Sequence, residues 1–103
     1  MAKTKQIKPH FRTHKVNGHP SYIYAEISDE YKYIGITHAD ITQGLRNKKL
    51  TFNPNSKDFR ISYARPFSTH DKKSNFKRKK LKGYKIHNAD KKTFSNIKKN
   101  YRV

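Results

Sequence analysis

The sequence predicts an α+β fold: a small antiparallel sheet of three to four strands, led by a hairpin over residues 21–37, with a C-terminal helix packed on one face. Two patterns predict it. Tyr and Ile alternate with other residues through Ser21-Tyr22-Ile23-Tyr24-Ala25-Glu26-Ile27 and Lys32-Tyr33-Ile34-Gly35-Ile36-Thr37, as suits pleated, half-buried strands. Toward the other end, Phe94, Ile97 and Tyr101 recur at the i, i+3, i+7 spacing of one helix face.

Residues 1–18 carry Lys3, Lys5, Lys8, Arg12 and Lys15 with no acid, and read as a basic arm ahead of a single domain over 19–103. With few apolar anchors, the first 15 or so residues are expected to stay mobile. In the hairpin, the side-chain period of two demands an even loop if the aliphatic residues are to share a face. A two-residue loop at Asp29-Glu30 pairs Ile23 with Ile36, Ala25 with Ile34, Tyr24 with Gly35 and Glu26 with Tyr33. One face is then aliphatic and the other carries Tyr22, Tyr24, Tyr31 and Tyr33.

Asp40 is placed to cap a short helical turn before Ile41 and Leu45, which Gly44 would end. Asn53-Pro54-Asn55-Ser56 is turn chemistry. Phe59, Ile61 and Tyr63 alternate as a third strand that Pro66 ends or holds at an edge, and Lys82–Ile86 reads as a short fourth. Asn88 caps the last helix. On its wheel Lys91, Lys92, Lys98, Lys99 and Arg102 fall on one flank of the apolar stripe, with Thr93, Asn96 and Asn100 on the other.

The net charge of +18 is sorted along the chain: residues 21–71 hold seven Lys and Arg against six acids, whereas residues 72–103 hold thirteen against Asp90 alone. Such a field concentrates polyanions and makes nucleic acid the expected partner. Solubility alone asks for a net charge of only about 2 to 8 in a small domain. The densest run is Lys77, Arg78, Lys79 and Lys80 with Lys82 and Lys85, interleaved with Phe76, Leu81, Tyr84 and Ile86. Its cations and those of the helix flank are the expected phosphate contacts. The four hairpin tyrosines form a candidate stacking platform for unpaired bases, in competition with a role as core.

Leu, Ile, Val and Phe number 20 of 103 residues, at the roughly 20% boundary between globular and disordered compositions, so the core must be thin. Without cysteine, disulfides and thiolate metal sites are excluded. No 18-residue apolar run or signal-peptide pattern occurs, so a cytoplasmic protein with no membrane partner is expected. No zinc finger, heptad-linked basic region or aromatic RNP signature is present.

The hairpin register sets His38 just beyond His19-Pro20, which brings two imidazoles to the open end of the sheet. Two His beside a cation can cleave RNA: one imidazole takes the 2′-hydroxyl proton, the other protonates the leaving oxygen, and the cation stabilises the charged phosphorane. His38-Ala39-Asp40 with His19 offers only a thin metal site, and neither metal nor cofactor is expected. The expected function is nucleic-acid binding through the phosphate backbone, RNA slightly ahead of DNA. The alternative is a small, basic, metal-independent endoribonuclease of the toxin type using His19 and His38. A ribosome-associated or packaging protein is the third.

Overall fold

Alternation over residues 20–37 closes into the hairpin on which the sheet is built. The structure is a computed structural model that describes residues 3–102. It contains β1 (Thr4–Thr13), β2 (Pro20–Ile27), β3 (Glu30–Thr37), β4 (Ile41–Thr42), β5 (Leu45–Arg46), β6 (Lys48–Lys49), β7 (Tyr63–Ala64), β8 (Thr69–Lys72) and one α-helix, α1 (Lys91–Lys98). Six strands form an antiparallel sheet in the order β1-β2-β3-β7-β6, with β8 also pairing along β3, while β4 and β5 form a separate small hairpin. The helix packs on the sheet, so the fold is α+β.

The hairpin loop is Ser28–Asp29, one residue earlier than the pattern predicts. Ser28 takes a left-handed φ of 51°, the conformation that primed two-residue turns require, and Ile27 therefore pairs with Glu30. The register then shifts at Tyr24, between the Ala25–Lys32 and Ile23–Tyr33 pairs. The expected pairs do not form. Instead Tyr22 lies opposite Ile34 and Ile23 opposite Tyr33: the earlier loop slides the pairing by two residues and keeps the faces, and the one-residue irregularity at Tyr24 then exchanges the faces of one strand relative to the other. Each face of the sheet consequently receives both Tyr and Ile.

Two half-cores result. On the helix side Phe11, Tyr22, Tyr24, Ile34, Ile36, Leu50 and Ala64 cluster with Phe94 and Ile97 of α1, and the Phe94 ring meets Tyr22 edge-on at 5.2 Å. On the other face Phe76 is buried between His14, Tyr31 and Tyr33, with ring separations of 4.9, 5.4 and 5.1 Å. The helix follows a single 3₁₀ turn at Asn88–Asp90. It is tied down by the buried Asp90, whose carboxylate accepts the backbone N–H groups of Thr51 at 2.7 Å and Phe52 at 3.1 Å.

Several sequence expectations are corrected here. Of the residues taken as a mobile arm, residues 1–2 lie outside the described residues, while Thr4–Thr13 form β1, paired with β2 from Thr4–Ile27 to Thr13–Pro20. Its charges are accommodated because the 76–85 segment returns alongside: Lys77 N–H donates to Thr13 O at 2.9 Å and Leu81 N–H to Phe11 O at 2.8 Å. The Arg12 guanidinium donates to the carbonyls of Lys77 and Arg78. No break falls at residue 18, since His14 N–H bonds His19 O at 2.9 Å. Residues 40–46 form the β4–β5 hairpin rather than a helical turn, because Gln43 and Gly44 both adopt positive φ. Of the predicted third strand only Tyr63 and Ala64 pair, with Phe59 and Ile61 exposed. Lys82–Ile86 is no strand and contributes a single bridge, Tyr84 to Asn55.

His14 and Asp71 clamp the two ends of the second half-core. Buried His14 accepts Val16 N–H on Nδ1 at 3.2 Å, so its Nε2 carries the proton that meets Asp71 Oδ2 at 2.8 Å. Partial burial pushes the Asp71 carboxyl up. The hydrogen bonds from His14, Asn75 and the Lys72 N–H outweigh this and hold it below the usual carboxylate range. A carboxyl with a depressed folded-state pKa stabilises above its unfolded pKa near 4, and that contribution disappears as pH falls through the folded value. Asp71→Ala should therefore lower unfolding free energy by about 1–3 kcal/mol at neutral pH. The gap between variant and wild type in urea titrations should narrow as the pH is taken below about 4.

Candidate functional site

The start of β2 and the end of β3 lie at the same end of the hairpin, which brings His19 and His38 together. Residues 51–62, between β6 and β7, fold back on themselves beside that end. Leu50 N–H donates to Ser62 O at 2.9 Å, Asp58 N–H to Asn55 O at 3.0 Å and Asn53 Nδ2 to Arg60 O at 3.2 Å. The result is a cavity of about 300 Å³ whose walls include His19, His38, Asp58, Arg60, Ser62 and Tyr84.

The polar groups of this cavity are ordered by one another. His38 Nδ1 lies 3.1 Å from Ile61 O. A carbonyl can only accept, so Nδ1 bears the proton and Nε2 is left facing Asp58 Oδ2 at 3.7 Å. Asp58 is forked by Arg60, with Nε at 3.0 and 3.2 Å and Nη2 at 2.7 Å from its oxygens. That guanidinium, aided by the Arg60 N–H, holds the Asp58 carboxyl well below the usual range, and the carboxylate in turn raises Arg60. Chemically the set supplies two imidazoles and a fixed guanidinium, the elements that acid–base work on a phosphodiester requires.

Ser62 stands out within the wall. It is 1% exposed, and its Oγ has no hydrogen-bond partner among the described residues. A buried hydroxyl left unpaired typically costs about 1–3 kcal/mol.

Asp40 turns away from this cavity to pair with Arg46 at 3.2 Å, and no group of three or more His, Cys, Asp or Glu converges among the described residues. Lys77, Arg78, Lys79, Lys80, Lys82 and Lys85 are all exposed. Their segment runs from the backbone of Thr13 past Tyr84, both of which line the cavity, and Lys85 N–H is anchored on Pro54 O at 3.0 Å. These residues form an exposed cationic rim along the segment, of which only Tyr84 lines the cavity itself. Lys91 and Lys98 border a second cavity, with His10, Tyr22 and Lys85, where burial lowers the His10 pKa. The Lys98 ammonium sits 5.0 Å over the Tyr24 ring and 5.5 Å over Tyr22. Arg102 lies 4.7 Å over Phe67, while Lys92 and Lys99 are exposed.

The tyrosines do not form an open platform. Tyr22 and Tyr24 are buried under α1, and Tyr31 and Tyr33 pack edge-on against Phe76, because both sheet faces are covered. Asp58, Arg60, Ser62 and Tyr84 were not singled out for this site by the sequence. The one local signal is the Asp58-x-Arg60 spacing, which permits the fork.

No family model matches the chain, and comparison with curated proteins and with solved structures likewise yields no match. Geometry alone therefore carries the functional argument. Ser62→Ala should leave the fold as stable as wild type, or raise its stability by up to about 1 kcal/mol in urea unfolding, since an unpaired buried hydroxyl is removed. A clear loss of stability would mean that Ser62 is already satisfied in the protein.

Proposed function

We propose that the protein binds nucleic acid, RNA ahead of DNA, in the cytoplasm, through its phosphate backbone. The observation that carries this reading is the imbalance of paired and unpaired charge. Of the 25 Lys and Arg, only Arg46, Arg60 and Lys73 pair with a carboxylate among the described residues. The cations of the Lys77–Lys85 run are all exposed, and the same run contributes Tyr84 to the wall of the polar cavity. Ammonium groups so arranged neutralise phosphates and release counterions. No helix among the described residues is long and apolar enough to cross a membrane.

Affinity should fall linearly on a plot of log K against log salt, with a slope of about −0.7 per phosphate on single strands and about −0.9 on duplex DNA. Replacing Lys77, Arg78, Lys79 and Lys80 together by Ala should flatten that slope by several units. An unchanged slope would remove this rim from the interface.

The second reading, a metal-independent endoribonuclease, is favoured by one observation, that His19 and His38 line one cavity with Arg60. In it His38 Nε2 accepts the proton of a ribose 2′-hydroxyl as O2′ bonds to phosphorus, and His19 protonates the departing O5′ as the P–O5′ bond breaks. Arg60, held by Asp58, faces the charge that develops on the phosphorane. His19→Ala and His38→Ala should each reduce cleavage of labelled RNA by about 100-fold or more while changing binding little. Activity should trace a bell against pH and be indifferent to chelator. Cleavage that survives both substitutions would end this mechanism.

A further inference from the structure

Among the described residues five large apolar side chains are exposed, Val16, Ile41, Phe52, Phe59 and Ile61. Three of them, Phe52, Phe59 and Ile61, line one groove of about 490 Å³. Phe59 is 97% exposed, and the Phe52 ring is already stacked on His87 at 4.0 Å with 35° between the planes. Lys49, Arg60 and Lys85 border the same groove. It also shares a wall with the His19/His38 cavity, since Asn53, Asp58, Arg60 and Ser62 line both.

We infer that this groove takes an unpaired nucleobase, stacked on Phe59 and the Phe52–His87 pair, while the adjoining phosphate lies in the His38–Arg60 cavity. The inference rests on the nucleic-acid reading above and adds to it a preference for single strands. Charge complementarity selects the occupant. An apolar protein surface seated here would bury uncompensated cations, and the carboxylate in the shared wall, Asp58, is already forked by Arg60. A single-stranded nucleic acid presents flat rings to the aromatic faces and phosphates to the cations. A duplex withholds its ring faces by stacking them on each other.

The test is an anisotropy titration of wild type and Phe59→Ala with three labelled probes: a single-stranded RNA, the same strand with abasic sugars, and an RNA duplex of equal phosphate count. Phe59→Ala is expected to weaken binding of the intact single strand by about 5- to 150-fold. The abasic strand, the duplex and the salt slope should be unchanged, and Phe59→Tyr should restore affinity. Because Phe59 is almost fully solvated, its removal leaves the core untouched, and circular dichroism confirms this directly. Equal weakening on all three probes, or none on any, overturns the base site while leaving the phosphate reading intact. Wild type binding none of the probes overturns both. A self-associated wild type that Phe59→Ala converts to monomer with RNA affinity unchanged overturns the base site in favour of an interface between copies.

Discussion

Seven carboxylates serve a chain with 25 Lys and Arg, and most of the seven tie together segments far apart in sequence. Asp71 holds His14 across 57 residues, Glu30 bonds His70 across 40, and Asp90 receives the backbone of Thr51 and Phe52. Glu26 reaches Lys73 at 2.8 Å, and that hydrogen bond lowers the carboxyl while raising the ammonium. With so strong a self-repulsion, these ties are what allow the ends of the chain to lie on the middle. Two of them start from the hairpin, at Glu26 in β2 and Glu30 in β3, so the hairpin is one anchor against which the cationic segments are held. The densest run of cations left without a carboxylate is residues 77–85.

Backbone carbonyls and aromatic faces do part of the work that carboxylates cannot. Arg12 bonds two carbonyls of the returning basic segment, Lys98 lies over Tyr22 and Tyr24, and Arg102 over Phe67. Such partners hold a guanidinium or ammonium in place without neutralising it. Much of the charge is thus positioned by the fold yet still available to an external anion. The same logic appears in the cavity, where Asp58 orients Arg60 through a fork while one Nη remains outside it.

The hairpin and the terminal helix are legible in the sequence, because Tyr/Ile alternation and the Phe94–Ile97 spacing each report a buried stripe directly. The meeting of His19 and His38 is legible too, although the register drawn from the pattern differs from the one observed. Both residues sit at the open end of the hairpin, and a shift of one or two positions does not move them to another end. What the pattern hides is parity, which changes at the irregularity at Tyr24, a tertiary choice with no strong local signature. The strand Thr4–Thr13 is hidden for a different reason. Its lysines dominate the composition, whereas its stability comes from pairing with β2 and from the distant 77–81 backbone. Phe59 and Ile61 alternate as a strand would, yet they serve an exposed groove, and the approach of Asp58, Arg60 and Ser62 to His38 depends on a loop closure that no local spacing encodes.

The outer half of β1 is an unpartnered sheet edge, the kind of surface on which another chain can template itself into a growing ribbon. Lys5 and Lys8 guard it by repulsion, but only while their charge is uncompensated, so a bound polyanion would disarm that guard when copies crowd along one strand. Pro9 does not titrate and cannot be screened. Lying in the irregular stretch between the Gln6–Ala25 and His10–Ile23 pairs, it offers no N–H to an incoming strand, a block that does not depend on charge.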